Sequence, residues 1–274
     1  MRKKNVEFQN EESEIVEGLK SYWKDRSPSY SAQNVEEMNN WKRKAWRDLI
    51  LAYAPEKEVL RVLDVGTGPG FFAMTLALEG HEVTAVDLTE QMLEHAAANA
   101  KAYGADVRFV LHRGENLPFE DGAFDLIVSR NVIWNLEYPR EALKEWQRVL
   151  APGGRMVYFD ANWYLYLFDD AVAEKKKKLH QELHDKYPER KKSGDLKPQR
   201  TRDLEQIALT LPMSKVNRPA WDRDFLESIG MQIVHVTEDI GCDVQSEEEW
   251  AFNQANPMFM VCAEKGMAEV KDEK

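Results

Sequence analysis

The sequence predicts an α/β chain wound on both faces of a parallel sheet. Three observations carry this. Val59–Leu88 reads strand, glycine turn, helix, strand, acidic residue. Apolar runs then alternate with amphipathic segments as far as Asp160. Gly80, Gly104 and Gly230 stand where helices of that alternation should stop.

The elements follow in order. Residues 1–12 are polar, and the spacing predicts a frayed end. Ile15, Leu19, Tyr22 and Trp23 recur at helical spacing over Glu14–Lys24. DRSPSYSAQN (residues 25–34) is rich in turn formers and carries Tyr30. A longer helix is expected over Val35–Ala54, capped by Asn34 and ended by Pro55. Its buried side would carry Met38, Trp41, Ala45, Leu49 and Ala52.

Val62, Leu63 and Val65 suit a strand buried on both faces, interrupted by Asp64. Gly66, Gly68 and Gly70 follow at every second position, around Thr67 and Pro69. Without Cβ atoms such a turn lets the backbone come close to a ligand. A helix over Phe71–Leu78 and a strand over His81–Val86 complete the unit, and Asp87 ends it. An acidic residue there is placed to take the two hydroxyls of a ribose.

Thr89 can cap a helix running to Tyr103. Val107–Leu111 and Phe124–Ser129 read as strands, joined by the loop ENLPFEDGAF. A helix over Glu141–Leu150 precedes the Pro152-Gly153-Gly154 turn into a strand, Arg155–Asp160. The alternation then breaks. Residues 162–218 are charged and helical in pattern, an insertion expected over the ligand edge of the sheet. A helix (Trp221–Ile229), a strand (Met231–Thr237) and a last apolar run (Met258–Ala263) close the chain.

At this point the residues resemble a family. LDVGTGPG (Leu63–Gly70), Asp87, the NLPF loop (Asn116–Phe119), FDLIVSRN (Phe124–Asn131) and RVLAPGGRMVYFD (Arg148–Asp160) are similar to class I S-adenosylmethionine-dependent methyltransferases. The likeness is nearest the small-molecule branch that includes the quinone-biosynthesis enzymes. The resemblance implies a Rossmann-like, mostly parallel seven-stranded sheet with an antiparallel last strand. It implies N-terminal helices over the cofactor site (1–55), a cofactor-binding core (56–161) and a helical cap (162–218). Strands completing the sheet (219–266) and a disordered tail (267–274) would follow.

It also implies roles. S-adenosyl-L-methionine is the expected cofactor. Gly66, Thr67, Gly68 and Gly70 would pass its methionine portion, with Asp64 near the amino group and Asp87 on the ribose. Leu88 and Met92 would pack on the adenine, and Gly114, Glu115 and Asn116 would line its edge. Ser129, Arg130 and Asn131 would face cofactor and acceptor, with Tyr22 and Tyr30 closing over them. One position departs from the pattern. Relatives often carry an aspartate where Arg113 stands, and a guanidinium has no acceptor to offer the adenine amino group. Either Glu115 or a backbone carbonyl would take its place.

The acceptor side is less defined. Trp23, Trp134, Asn162, Trp163, Tyr164, Tyr166 and Trp221 are candidate wall residues; ordinary packing of the cap explains them as well. Asp160, Tyr164, His180 and His184 are the candidate proton acceptors. His180 and His184 share a helix face at metal-ligand spacing. No third ligand accompanies them, so two solvated histidines and no metal are expected. The basic run from Lys175 to Arg202 reads as a solvated face more readily than as an anion site.

A net charge of −11 argues against general binding to nucleic acid or anionic membrane. Cys242 and Cys262 form no disulfide framework or metal pair, and no stretch has the length of a membrane span or signal core. A cytoplasmic monomer or homodimer acting on a small molecule is expected. Two alternatives stay open. One is a cofactor-binding protein of this fold without transferase activity. The other is a different nucleotide-dependent enzyme such as a dehydrogenase, which would more usually carry GxGxxG.

Overall fold

The computed structural model describes residues 13–187 and 198–267. The frayed end and most of the tail expected from the sequence lie outside them, as does the middle of the basic run.

Two helices, α1 (Glu14–Met38) and α2 (Trp41–Ala52), precede the sheet. The α/β alternation then runs β1 (Arg61–Val65), α3 (Phe71–Ala77), β2 (Glu82–Asp87), α4 (Glu90–Tyr103) and β3 (Val107–Leu111). It continues through β4 (Phe124–Arg130), α5 (Pro139–Val149) and β5 (Leu150–Asp160). The inserted stretch forms α6 (Asp170–Lys186) and α7 (Pro198–Ala208), with short 3₁₀ turns at Leu165–Leu167 and Pro212–Lys215. The chain closes with α8 (Ala220–Ser228), β6 (Met231–Thr237), α9 (Gly241–Val244), α10 (Glu247–Asn253) and β7 (Phe259–Lys265).

The seven strands lie in the order β3-β2-β1-β4-β5-β7-β6. All pairs are parallel except those of β7, which is antiparallel to β5 and β6. This is the expected Rossmann-like methyltransferase sheet. The order reverses between β1 and β4, where Val65 lies opposite both Val86 and Ser129. The carboxyl ends of β1, β2 and β4 therefore share one edge, at the crevice where open α/β sheets bind ligands.

Alternating strand residues feed two cores. Val62, Leu126, Val128 and Val157 join one under α2 and α3; Leu63, Val65, Ile127 and Met156 join the other under α5 and α8. These side chains are almost fully buried. Burial of each is worth about 1.5–3 kcal/mol, which holds the edge rigid under the site.

Four sequence expectations need correction. First, residues 25–34 are not a turn; α1 runs through them and through Pro28. Pro28 has no N–H for the Lys24 carbonyl, and the Ser27 hydroxyl donates to it instead at 2.9 Å. Second, the helix over Val35–Ala54 is split. Asn40 caps α2, its Oδ1 accepting from Lys42 N at 2.8 Å. Asn34 is no cap; it is buried within α1 and donates to the Tyr30 carbonyl. Third, Trp41 is half exposed, and Trp46 and Ile50 fill the core in its stead. Fourth, α9 and α10 were not foreseen. The Ser246/Glu249 capping box at the start of α10 was legible in SEEE.

Candidate functional site

The glycine turn is built from below. Gly66 N and Thr67 N both donate to the Val86 carbonyl, tying the turn to β2. Asp64 lies buried beneath it, accepting from Thr67 Oγ1 at 2.6 Å and from Ala73 N at 3.0 Å. Ala73 is in the first turn of α3, and Gly70 offers that helix no side-chain cap. Asp64 is thus its remote cap. Burial pushes its carboxyl up to about 7 against those two donors.

Asp87 closes β2 from the other side. Its Oδ2 accepts from Gly68 N and its Oδ1 from Thr89 N, each at 2.9 Å. Burial raises this carboxyl to about 6. The side chain thereby sets the turn's position while keeping a carboxylate edge on the cavity wall.

That cavity has a volume of about 510 Å³. Gly66, Gly68, Asp87, Leu88 and Met92 line one part of it, with Gly114, Glu115, Arg130 and Asn131 beside them. Tyr22, Trp23 and Tyr30 reach it from α1, the Tyr30 ring lying over Gly68. Trp134, Trp163, Tyr164 and His180 line the remainder. Trp134 and Tyr164 have ring centroids 5.1 Å apart.

Arg113 is drawn back to Glu115 and Glu137, at 3.3 Å from each. The Gly114 carbonyl already accepts from Trp146 Nε1 at 2.9 Å. Glu115 lines the cavity beside it, and burial raises its carboxyl. Arg130 pairs with Glu37 at 2.9 Å and sits over the rings of Trp46, Phe71 and Phe72. Asn131 has φ 60°, and its Oδ1 is buried without a hydrogen-bond partner.

Several expected residues do not reach the cavity: Asp64, Thr67, Gly70, Asn116, Ser129, Asp160, Asn162, His184 and Trp221 are absent from its wall, Trp221 stacking on Phe225 instead. Gly70 makes room for α4 instead; a Cβ there would sit 3.2 Å from that of Ala96. Asn116 takes the left-handed turn of its loop (φ 51°). Ser129 donates to the Val65 carbonyl, and Asn162 exchanges hydrogen bonds with the Arg218 backbone. Asp160 is no proton acceptor in waiting. Its Oδ1 accepts from Ala161 N and Trp163 Nε1, and its Oδ2 from Trp134 N and Arg218 Nη1. His184 is exposed. Among the described residues no three His, Cys, Asp or Glu side chains are grouped to hold a metal ion.

Arg26 and Lys176 are among the wall residues that escaped the sequence reading. Arg26 is buried, held by Ser29 and Gln33 and stacked over Tyr30. It lies four positions from Tyr22 and from Tyr30, so a continuous α1 would have shown all three on one face. Lys176 was hidden in the inserted stretch inside a run of four, whereas Tyr166 lines the cavity as the sequence led us to expect.

The comparisons with known proteins meet this geometry at the same residues. Residues 63–158 match the family described as "Methyltransferase domain". They form a class I S-adenosylmethionine-dependent methyltransferase domain. The chain is 41% identical over 117 residues to a demethylmenaquinone methyltransferase of Thermus thermophilus. That match takes in 42% of this chain and 53% of the other, so the chain spans about half the length of this relative. A structure described as a SAM-dependent methyltransferase from Aquifex aeolicus superposes with TM-score 0.53 at 20% identity, over 85% of this chain and 97% of that one. The [4+2]-cyclase SpnF superposes with TM-score 0.52 at 18% identity, over 81% and 80%. At such identities these two carry the fold alone.

S-adenosylmethionine is the cofactor of this domain class, and the wall residues fit it. The methyltransferase domain offers a carboxylate edge at Asp87, a turn without Cβ atoms at Gly66 and Gly68, and an unpartnered acceptor at Asn131 Oδ1. Gly66 is the position least open to change. It has φ 67°, and a Cβ would stand 2.2 Å from Val132 Cγ2. Gly66→Ala should weaken S-adenosylhomocysteine binding more than tenfold and cost roughly 1–3 kcal/mol of stability. Gly80→Ala has a similar φ of 89° but meets nothing within 4 Å; it should lose stability without loss of affinity. Calorimetry and thermal unfolding of the two variants check both halves.

Proposed function

We propose that the protein transfers the methyl group of S-adenosylmethionine to a small-molecule acceptor held beneath α1, α6, α7 and α10. One observation carries this reading. The Asp87–Gly68 wall and the aromatic wall of Trp134, Tyr164 and Tyr166 belong to a single cavity. Its 510 Å³ falls inside the range of about 300–1,000 Å³ usual for small-molecule sites.

In this reading Asp87 takes the ribose hydroxyls, while Leu88 and Met92 flank the adenine with Glu115 at its edge. Gly66 and Gly68 run along the methionine portion. Asn131 Oδ1 is placed to accept from an amino group, and the buried Arg26 guanidinium, whose partners are neutral, to take a carboxylate. The cofactor when bound supplies an electrophilic sulfonium methyl carbon. The residues of this chain then have to hold the acceptor in line with it and keep water out. Alignment alone lowers such a barrier by several kcal/mol, of a total of about 7–11 available. α6 and α7, with α1 packed against α7, act as the cap that dries the site.

An acceptor that must lose a proton needs a base within reach. Asp160 is filled by four donors. Burial holds the Tyr164 hydroxyl protonated, raising it well above its ordinary value. His180, on the cavity wall, is the remaining candidate.

A second reading has one observation in its favour: a cyclase shares this fold. Here the cofactor would be bound but its methyl group not transferred. Calorimetry comes first. S-adenosylmethionine and S-adenosylhomocysteine should bind and NAD should not; absence of binding by both sulfur nucleosides would sink both readings. A screen for S-adenosylhomocysteine release over phenols, carboxylic acids, amines and thiols then separates transfer from binding without turnover.

A further inference from the structure

The inserted stretch contributes one inward-facing amine. Lys175, Lys177 and Lys178 are exposed, whereas Lys176 is partly buried and lines the cavity. Its Nζ lies 3.5 Å from the centroid of the Tyr166 ring. The carboxylate that might have paired with it is engaged elsewhere: Glu205 Oε1 accepts from the Tyr166 hydroxyl at 2.7 Å. Among the described residues no carboxylate lies within ion-pair distance of Lys176. The titratable groups around it are His180 one turn on, Tyr164 and Tyr166 on the preceding turn, and Glu205 on α7 behind Tyr166. Burial lowers the amine to about 8, with Glu205 opposing.

A partly buried cation whose nearest partner is a ring face, and whose neighbouring carboxylate is tied to the Tyr166 hydroxyl, leaves room for a direct anionic partner. The rings leading toward it, Trp134, Tyr164 and Tyr166, follow each other at centroid distances of 5.1 and 6.1 Å. They favour a flat, unsaturated body. A single amine suits a monoanion better than a phosphate dianion, which would draw on several donors.

We propose that the methyl acceptor is a conjugated or aromatic small molecule bearing a carboxylate, and that Lys176 is the specificity-determining residue that receives it. This rests on the methyl-transfer reading and narrows its acceptor class. The rest of the basic run takes no part in it.

The test uses 2-naphthoate and its neutral isostere 2-naphthamide as probes, titrated into the full chain saturated with S-adenosylhomocysteine. The naphthoate should bind at least tenfold more tightly than the amide at pH 7. That preference should fall as pH rises from 7 to 9.5, because the amine loses its proton. Lys176→Met should abolish the preference, Lys176→Arg should keep it, and Lys178→Met, on the exposed side of the same run, should leave it unchanged. Equal affinity for the two probes, no binding of naphthoate, or a preference surviving in Lys176→Met would overturn the assignment. Failure of S-adenosylhomocysteine itself to bind would instead overturn the methyl-transfer reading on which the assignment rests.

Discussion

Asp87→Ala should lower the affinity for S-adenosylhomocysteine by two orders of magnitude or more. In the proposed pose the carboxylate accepts two ribose hydroxyls, and hydrogen bonds to a charged group are worth about 1.5–3 kcal/mol each. Together these amount to at least about 3 kcal/mol, or roughly a hundredfold. The same truncation frees Gly68 N and Thr89 N from their acceptors, so the turn loses its anchor along with the ligand. Isothermal titration of the variant tests this. An affinity within threefold of the native protein would remove Asp87 from the site.

The pH dependence of that binding has a definite sign. Burial raises the Asp87 carboxyl from its ordinary 3.8 to about 6. The folded chain therefore takes up this proton more readily than the unfolded chain. For Asp87 alone, the resulting stability is fully present below pH 3.8 and is lost as pH rises through about 6. Asp64, raised to about 7, adds a contribution of the same sign. Ligand binding runs the other way, since a protonated Asp87 cannot accept from both hydroxyls. Lowering the pH from 8 to 5 should weaken S-adenosylhomocysteine binding with an inflection near 6, and a flat profile would contradict the assignment.

What could be read in the sequence was what local chemistry dictates. The run Val62-Leu63-Asp64-Val65, the left-handed glycines and the acidic end of β2 each have one comfortable structure, and β1, α3 and β2 form within a residue or two of where those signals place them. α1 defied its own local signals. Pro28 and its polar neighbours favour a turn, but Val16 and Leu19 on one side and Asn34 and Met38 on the other are buried against the rest of the chain. That packing outweighs the missing backbone bond, which Ser27 partly replaces. Lys176 could not be told from Lys175 or Lys177, because only the tertiary position of α6 decides which lysine faces inward. Asp160 was visible as a carboxylate at the correct edge of the sheet. Its partner, 58 positions later, was not.

That partner makes Arg218 the position where a single change should cost most in stability. It is almost wholly buried, 2.5 Å from Asp160 and 2.6 Å from Asp222, and Tyr158 donates to Asp222 at 2.9 Å. Burial raises the Asp160 carboxyl and the guanidinium opposes it. Arg218→Met keeps much of the volume but leaves two buried carboxylates facing each other. Breaking such a pair costs about 3–5 kcal/mol, which urea unfolding at pH 8 would register. With the cation gone, the Asp160 carboxyl is raised further in the folded state. Its penalty is full above the raised value and is relieved as pH falls, so the deficit should shrink between pH 8 and pH 5. The triple variant Asp160→Asn, Arg218→Met, Asp222→Asn removes the charge conflict and should recover a large part of the loss. A loss equal to that of Arg218→Met would mean that packing, not charge, holds this joint. The consequence reaches the site through Asp160, whose two oxygens fix Trp134 N and Trp163 Nε1. Both tryptophans line the cavity, and in the proposed pose they wall the part that takes the acceptor. Arg218→Met should therefore disturb acceptor binding well before it disturbs cofactor affinity, and equal losses in both would show that the damage is general.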